Sequence, residues 1–158
     1  MVTETIERPV QRPAADVEAL FPGRYLSVSS FKRDGTAVAT PVWFVSDGGR
    51  LFALTDLHSA KVRRIRRDPR VLVASCRAGG RLRSAPLPAR AEVLTTIPEL
   101  ERVQKLLSAR YKISYRVVML IYRLGRRLRG QRGLGDGAAL AITVEDRGAS
   151  RHVATSDG

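Results

Sequence analysis

Residues 55–71 read T-D-L-H-S-A-K-V-R-R-I-R-R-D-P-R-V, and the rest of the chain is interpreted around them. An apolar run ends at Leu54–Thr55, and Ser59 then opens a short, heavily basic helix that Asp68-Pro69 closes. Ser59 suits the N-cap because its hydroxyl can accept an orphan N–H of the first turn. Asp68 ends the helix because the residue before a proline is steered out of helical φ/ψ. Val62 and Ile65 give it a narrow apolar face. Lys61, with Arg63 and Arg64 behind it, is out of place on electrostatic grounds. A helix N-terminus carries about half a positive charge, so a cation there is unfavourable by roughly 0.3–1 kcal/mol. A bound anion reverses the sign, since N–H groups, dipole and ammonium then converge on one phosphate. A charge run is equally the pattern of a solvated helix face. The residues alone leave both readings open.

Outward from this helix, the upstream segment is β-prone. Tyr25 to Phe31 reads as a strand, and Lys32-Arg33-Asp34-Gly35 carries the Asp-Gly signal of a tight hairpin. Thr36 to Ser46 is the return strand, Asp47-Gly48-Gly49 a second turn, and Arg50 to Thr55 a third strand. Pro41 lies inside the return strand and cannot donate to a ladder, so that strand is expected at a sheet edge or broken there. Before these strands, Ala14 to Phe21 has the spacing of a short helix, and residues 1–15 read as a flexible lead-in.

Downstream, Val71 to Arg77 is a fourth strand. Arg81 to Ala85 and Ala89 to Leu94 read as strands interrupted at Pro86-Leu87-Pro88. Thr96-Ile97-Pro98-Glu99 is a capping box with proline at the start of a helix whose apolar face is Leu100, Val103 and Leu107. A break is expected around Ser108 to Lys112. A second apolar stripe follows from Ile113 to Leu128, flanked by Arg116, Arg123, Arg126, Arg127 and Arg129. It reads as packing on the body of the protein or covering a substrate site. Peripheral membrane contact through 113–129 and partner binding are the alternatives. Ala138 to Val144 is a last strand, and residues 145–158 read as a disordered tail. Five or six short strands, mostly in hairpins with helices inserted late, predict a mainly β, mostly antiparallel barrel with α additions. One domain is expected over 16–144, with its helical insertion at 97–129.

Composition narrows the function. The 158 residues contain one cysteine, Cys76, so no internal disulfide forms, which fits a reducing cytoplasm. No apolar run approaches the roughly 18 residues of a membrane span, and residues 1–15 lack the apolar core of a signal peptide. The net charge of +13 suits a nucleic acid, an acidic membrane surface or a polyanionic small molecule. The basic clusters lack interleaved aromatics and match no nucleic-acid motif, so nucleic acid is not the expected partner. No metal-ligand cluster, serine–histidine–acid set or paired carboxylate motif appears. His58, beside the basic helix, is a candidate proton donor or a plain loop histidine; His152 lies in the tail.

Six pieces occur in order: Tyr25-Leu26-Ser27, Asp34-Gly35-Thr36, Ala39 to Phe44, Gly49 to Phe52, Ser59-Ala60-Lys61 and Arg67 to Val71. Together they resemble the pyridoxamine 5′-phosphate oxidase-like flavin and deazaflavin oxidoreductases, which share a split β-barrel. The likeness is closest to the actinobacterial branch that uses the deazaflavin coenzyme F420. It implies a homodimer with cofactor sites at the interface, hydride transfer to or from a small organic substrate, and F420, or alternatively FMN, as cofactor. It also implies that Ser59 and Lys61, with Thr55 beside them, hold the phosphate, and that Pro41-Val42-Trp43 is the strand along which the ring lies. Relatives often carry asparagine three residues after the lysine. Here that position is Arg64, which with Arg63 extends the candidate anion site. Members that bind a flavin or a hydrophobic ligand without turnover are the other outcome of the likeness.

Overall fold

A computed structural model describes Val17, residues 19–128 and residues 137–145, with only the helical path given for 113–128. The lead-in 1–15, the turn 130–136, the tail from 146 with His152, and the side chains of the 113–129 stripe lie outside the described residues.

The elements that can be given whole among the described residues are β1 (Tyr25–Phe31), β2 (Ala37–Trp43), β3 (Val45–Asp47), β4 (Arg50–Asp56), α1 (Ala60–Arg67), β5 (Arg70–Cys76), β6 (Leu87–Leu94), α2 (Ile97–Leu128) and β7 (Gly137–Val144). All strand pairs are antiparallel, in the order β2-β1-β5-β6-β7-β4-β3. The predicted mainly β architecture with α additions is what forms.

The two edge strands, β2 and β3, are separated in sequence by Phe44 alone. A chain that leaves one edge and enters the other within one residue draws the two edges together, and the sheet curls into a barrel with a seam there. Here the expected single strand Thr36–Ser46 is corrected: it is two strands that serve opposite edges. Pro41 sits on edge strand β2, whose ladder partner is β1, so its missing N–H breaks no interior ladder.

Two further boundaries differ from expectation. Arg81–Ala85 is not a strand; it touches the sheet through an isolated bridge between Cys76 and Leu82. Pro86-Leu87-Pro88 does not interrupt pairing, because β6 begins at Leu87 and carries Pro88 opposite Leu72. Pro88 offers its carbonyl to Glu145 N–H at 3.0 Å, a bond that needs no proline N–H.

Strand alternation builds two cores. Leu26 and Val28 of β1, Val42, Phe44, Leu51, Ala53, Val71, Val73, Leu140 and Ile142 fill the barrel, and Val17, Phe21 and Ile65 close it. Phe52, Ala139 and Ala141, on the opposite faces of β4 and β7, pack with Val45 against Val103, Leu107 and Tyr111 of α2. The returning half of the capping box forms: Glu99 Oε2 accepts the Thr96 N–H at 3.4 Å and also the Thr96 hydroxyl at 2.7 Å. The expected break of α2 falls at Lys112, whose φ of 47° is non-helical.

Candidate functional site

The basic helix has the local chemistry its sequence implies. Ser59 is extended, and its Oγ accepts Val62 N–H at 3.3 Å; Asp68 closes the other end through its own N–H on Arg64 C=O. Val62 and Ile65, 0% and 2% exposed, anchor α1 on the barrel. The preceding turn is held by Asp56, whose carboxylate accepts His58 N–H at 2.8 Å and whose carbonyl accepts Ser59 N–H at 3.1 Å.

Lys61 is the unusual residue. It is 7% exposed although its position is at a helix N-terminus. Burial, and secondly the charge of Arg64, hold its ammonium down from 10.5 to about 8. Among the described residues no carboxylate offsets that shift, and ion pairs such as Arg50–Glu92, Arg70–Asp68 and Arg102–Asp47 lie elsewhere. An ammonium removed from water without a counter-charge is costly, and the cost falls when an anion arrives. Lys61, the α1 N-terminus and the capping hydroxyl of Ser59 are therefore a fit donor set for phosphate.

The other candidates divide. Arg64 is half-buried and donates from Nε to Ser30 Oγ at 2.8 Å, which ties α1 to β1. Arg63 is exposed and turns back to its own loop, donating to His58 C=O at 2.9 Å. His58 is exposed in that loop. Thr55 is half-buried near the end of β4, opposite Ala138. Pro41 is exposed on β2, whereas the Val42 side chain points into the barrel core. Trp43 is half-buried and stacked on Tyr111, with ring centroids 4.9 Å apart, and meets Tyr25 edge-on at 6.1 Å. The route from Lys61 and Arg64 to β2 runs through Ser30, which lies opposite Val38. Pro41 is three residues further along β2, about 10 Å, and Trp43 five residues, about 17 Å. So the structure joins Lys61, Arg64 and Ser59 in one place and sets Trp43 at the far end of the strand.

Three residues escaped the sequence reading. Ser30, 0% exposed, continues the inward positions Leu26 and Val28 of β1, and a hydroxyl in that alternation is the signal that was available. Tyr111 extends the Val103–Leu107 stripe by one turn. Phe44 carries no signal, because its role comes from sheet closure. A separate concavity lined by Arg50, Pro69, Arg90, Ala91, Glu92, Ala141 and Thr143 includes none of Ser59, Lys61 and Arg64. Among the described residues no helix is long and apolar enough to cross a membrane, and no group of His, Cys, Asp or Glu is placed to hold a metal ion.

Comparison with known proteins supplies the family. No curated protein matches the chain. Among solved structures it is similar to a putative pyridoxamine 5′-phosphate oxidase from Listeria innocua, at 17% identity and TM-score 0.54, covering 84% of this chain and 90% of that one. It is similar to a conserved hypothetical protein from Mycobacterium tuberculosis, at 17% identity and TM-score 0.54, covering 99% and 98%. It is also similar to an FAD-binding protein from Mesorhizobium loti, at 16% identity and TM-score 0.52, covering 84% and 88%. At these identities the likeness is one of fold. The family profile described as pyridoxamine 5′-phosphate oxidase matches residues 16–149, nearly the whole chain, and this protein belongs to that family.

Proposed function

We propose that this protein is an oxidoreductase that uses coenzyme F420 and transfers a hydride between the deazaflavin and a small organic substrate. One observation carries the reading: a buried lysine at a capped helix N-terminus, with no carboxylate among the described residues to answer its charge. The ordered sequence pieces that resemble the F420-using branch supply the choice of cofactor. When bound, the deazaflavin supplies the hydride chemistry. The chain's own residues bind and orient. Lys61, Ser59 and the first-turn N–H groups hold the phosphate, and Arg64 stands beside them. Exposed Pro41 on the β2 edge offers a flat apolar surface to the ring, and the family resemblance adds Thr55, half-buried near the end of β4. An edge strand covers a ring from one side only, so a second copy of the chain completes the site in a homodimer. No side chain here is required to move a proton, and His58 is not assigned that task.

FMN is the second reading, because a lysine and a helix N-terminus grip a phosphate whatever ring it carries. Parallel fluorescence titrations with F420 and FMN separate the two, and the visible spectrum of the purified protein shows any cofactor retained. A charge-assisted hydrogen bond contributes roughly 1.5–3 kcal/mol, so Lys61→Ala should weaken the preferred cofactor about tenfold to a hundredfold. Unchanged affinity in that variant removes Lys61 from the site. Binding of neither cofactor by the wild type, together with salt-sensitive DNA binding, overturns the enzyme reading.

A further inference from the structure

The charges around Lys61 lead one step beyond the cofactor reading, on which the step rests. Arg64 is a second cation one helical turn after Lys61, on the side of α1 that faces the sheet. It does not swing into solvent: its Nε is fixed on the hydroxyl of Ser30, a residue 0% exposed. Like charges at this spacing cost a few tenths of a kcal/mol even on an exposed helix, and more where water is excluded. The chain accepts that cost with no acid among the described residues paired to either cation, although Asp68 answers Arg70, Asp47 answers Arg102 and Glu92 answers Arg50 elsewhere on the surface. A neutral amide at position 64 would keep a hydrogen bond to Ser30 without the repulsion. A single negative charge would balance one of the two cations and leave the other uncompensated.

We infer that Arg64, positioned by Ser30, sets the charge this site accepts: with Lys61 it takes a ligand presenting two negative charges at that point, in preference to a singly charged phosphate. Two sources share this chemistry. One is a terminal phosphate monoester in its dianionic form, as FMN supplies. The other is a phosphodiester followed closely by a carboxylate, as the acidic tail of F420 supplies. Arg64 is then a specificity residue, and Ser30 is a positioning residue that acts through it.

The test uses three ligands: FMN, its singly charged methyl phosphodiester, and F420. Each is titrated fluorometrically into full-length wild type, Arg64→Gln, Arg64→Lys and Lys61→Ala. Arg64→Gln should weaken whichever doubly charged ligand the wild type prefers by about tenfold and leave the methyl ester within about twofold. Arg64→Lys should recover part of the loss, and the preferred ligand identifies the source of the second charge. Thermal unfolding without ligand should show Arg64→Gln at least as stable as wild type, because a repulsion has been removed. Equal losses on the ester and on the doubly charged ligand overturn the inference, as does no loss on either. If Lys61→Ala weakens binding in those cases, the cofactor reading survives them. If the wild type binds neither FMN nor F420, the cofactor reading falls and takes this one with it.

Discussion

The hydroxyl of Tyr111 lies 2.5 Å from the carbonyl oxygen of Phe44 and 3.2 Å from its amide nitrogen. Phe44 is the residue at which the chain passes from one edge of the sheet to the other, so it has no ladder partner there. A single phenol on α2 thus serves both backbone groups of the barrel seam. The same oxygen lies 2.8 Å from Arg24 C=O, and burial raises the phenol's pKa, which keeps the proton needed for donation.

Tyr111→Phe keeps the ring on Trp43 and removes only this oxygen. A buried polar group left without a partner costs about 1–3 kcal/mol, so the variant should lose about that much stability. Urea denaturation checks it: a lower midpoint with unchanged slope is expected. No shift would mean the seam does not depend on the phenol.

Lys61→Met should make the unliganded protein more stable at neutral pH while reducing its response to cofactor. The folded-state pKa of Lys61 is about 8 against 10.5, so between these values the unfolded chain binds the extra proton and stability rises with pH. The full difference is about 3 kcal/mol, present as a penalty below pH 8 and gone above 10.5. Cys76 and Tyr111, both pushed up by burial, act in the opposite sense, so the measurement is the wild-type minus Lys61→Met difference in unfolding free energy from pH 7 to 10.5. That difference should close as pH rises. At a cofactor concentration of about 100 times the wild-type Kd the wild type should gain about 2.7 kcal/mol and the variant, binding tenfold to a hundredfold more weakly, about 0.4–1.4 kcal/mol.

Ser59→Ala removes the side-chain acceptor of Val62 N–H and should cost about 1 kcal/mol of stability. Its effect on cofactor affinity should exceed that of Ser59→Gly. Glycine caps nearly as well as serine, and its bare backbone lets the ligand approach the first-turn N–H groups. Isothermal titration of both variants makes the comparison.

Ile65→Ala opens a cavity beneath α1, where Ile65 is 2% exposed, and should destabilise the fold by about 2–5 kcal/mol. Since α1 carries both cations of the cradle, cofactor affinity should fall too, although residue 65 touches no ligand. A loss of stability with affinity intact would separate the helix's packing from its binding role.

Much of this was legible in the chain itself. Ser59 as cap and Asp68-Pro69 as stop follow from groups within a few residues of each other, and so do the Asp34-Gly35 turn and the Thr96–Glu99 box. Local sequence suffices to specify them. The break at Lys112 was anticipated to within the stretch 108–112 for the same reason. Arg81–Ala85 misled because its alternation suits a strand while its neighbours leave it a single bridge to join. Leu87-Pro88 misled in the other direction: proline loses a donor, and β6 needs only its carbonyl there.

By itself, then, the sequence determined most of the elements, narrowed the Pro41 strand to an edge or a break, and marked a basic helix that is either an anion site or a solvated face. Only the tertiary structure decided that Lys61 is buried instead of solvated, that Arg64 is held by Ser30, and that one apparent strand divides at Phe44. The reason is physical. Caps and turns are settled by bonds within one or two turns of chain. Burial of a charge and closure of a sheet depend on contacts between residues 34 and 67 positions apart, whose joint cost no local pattern records.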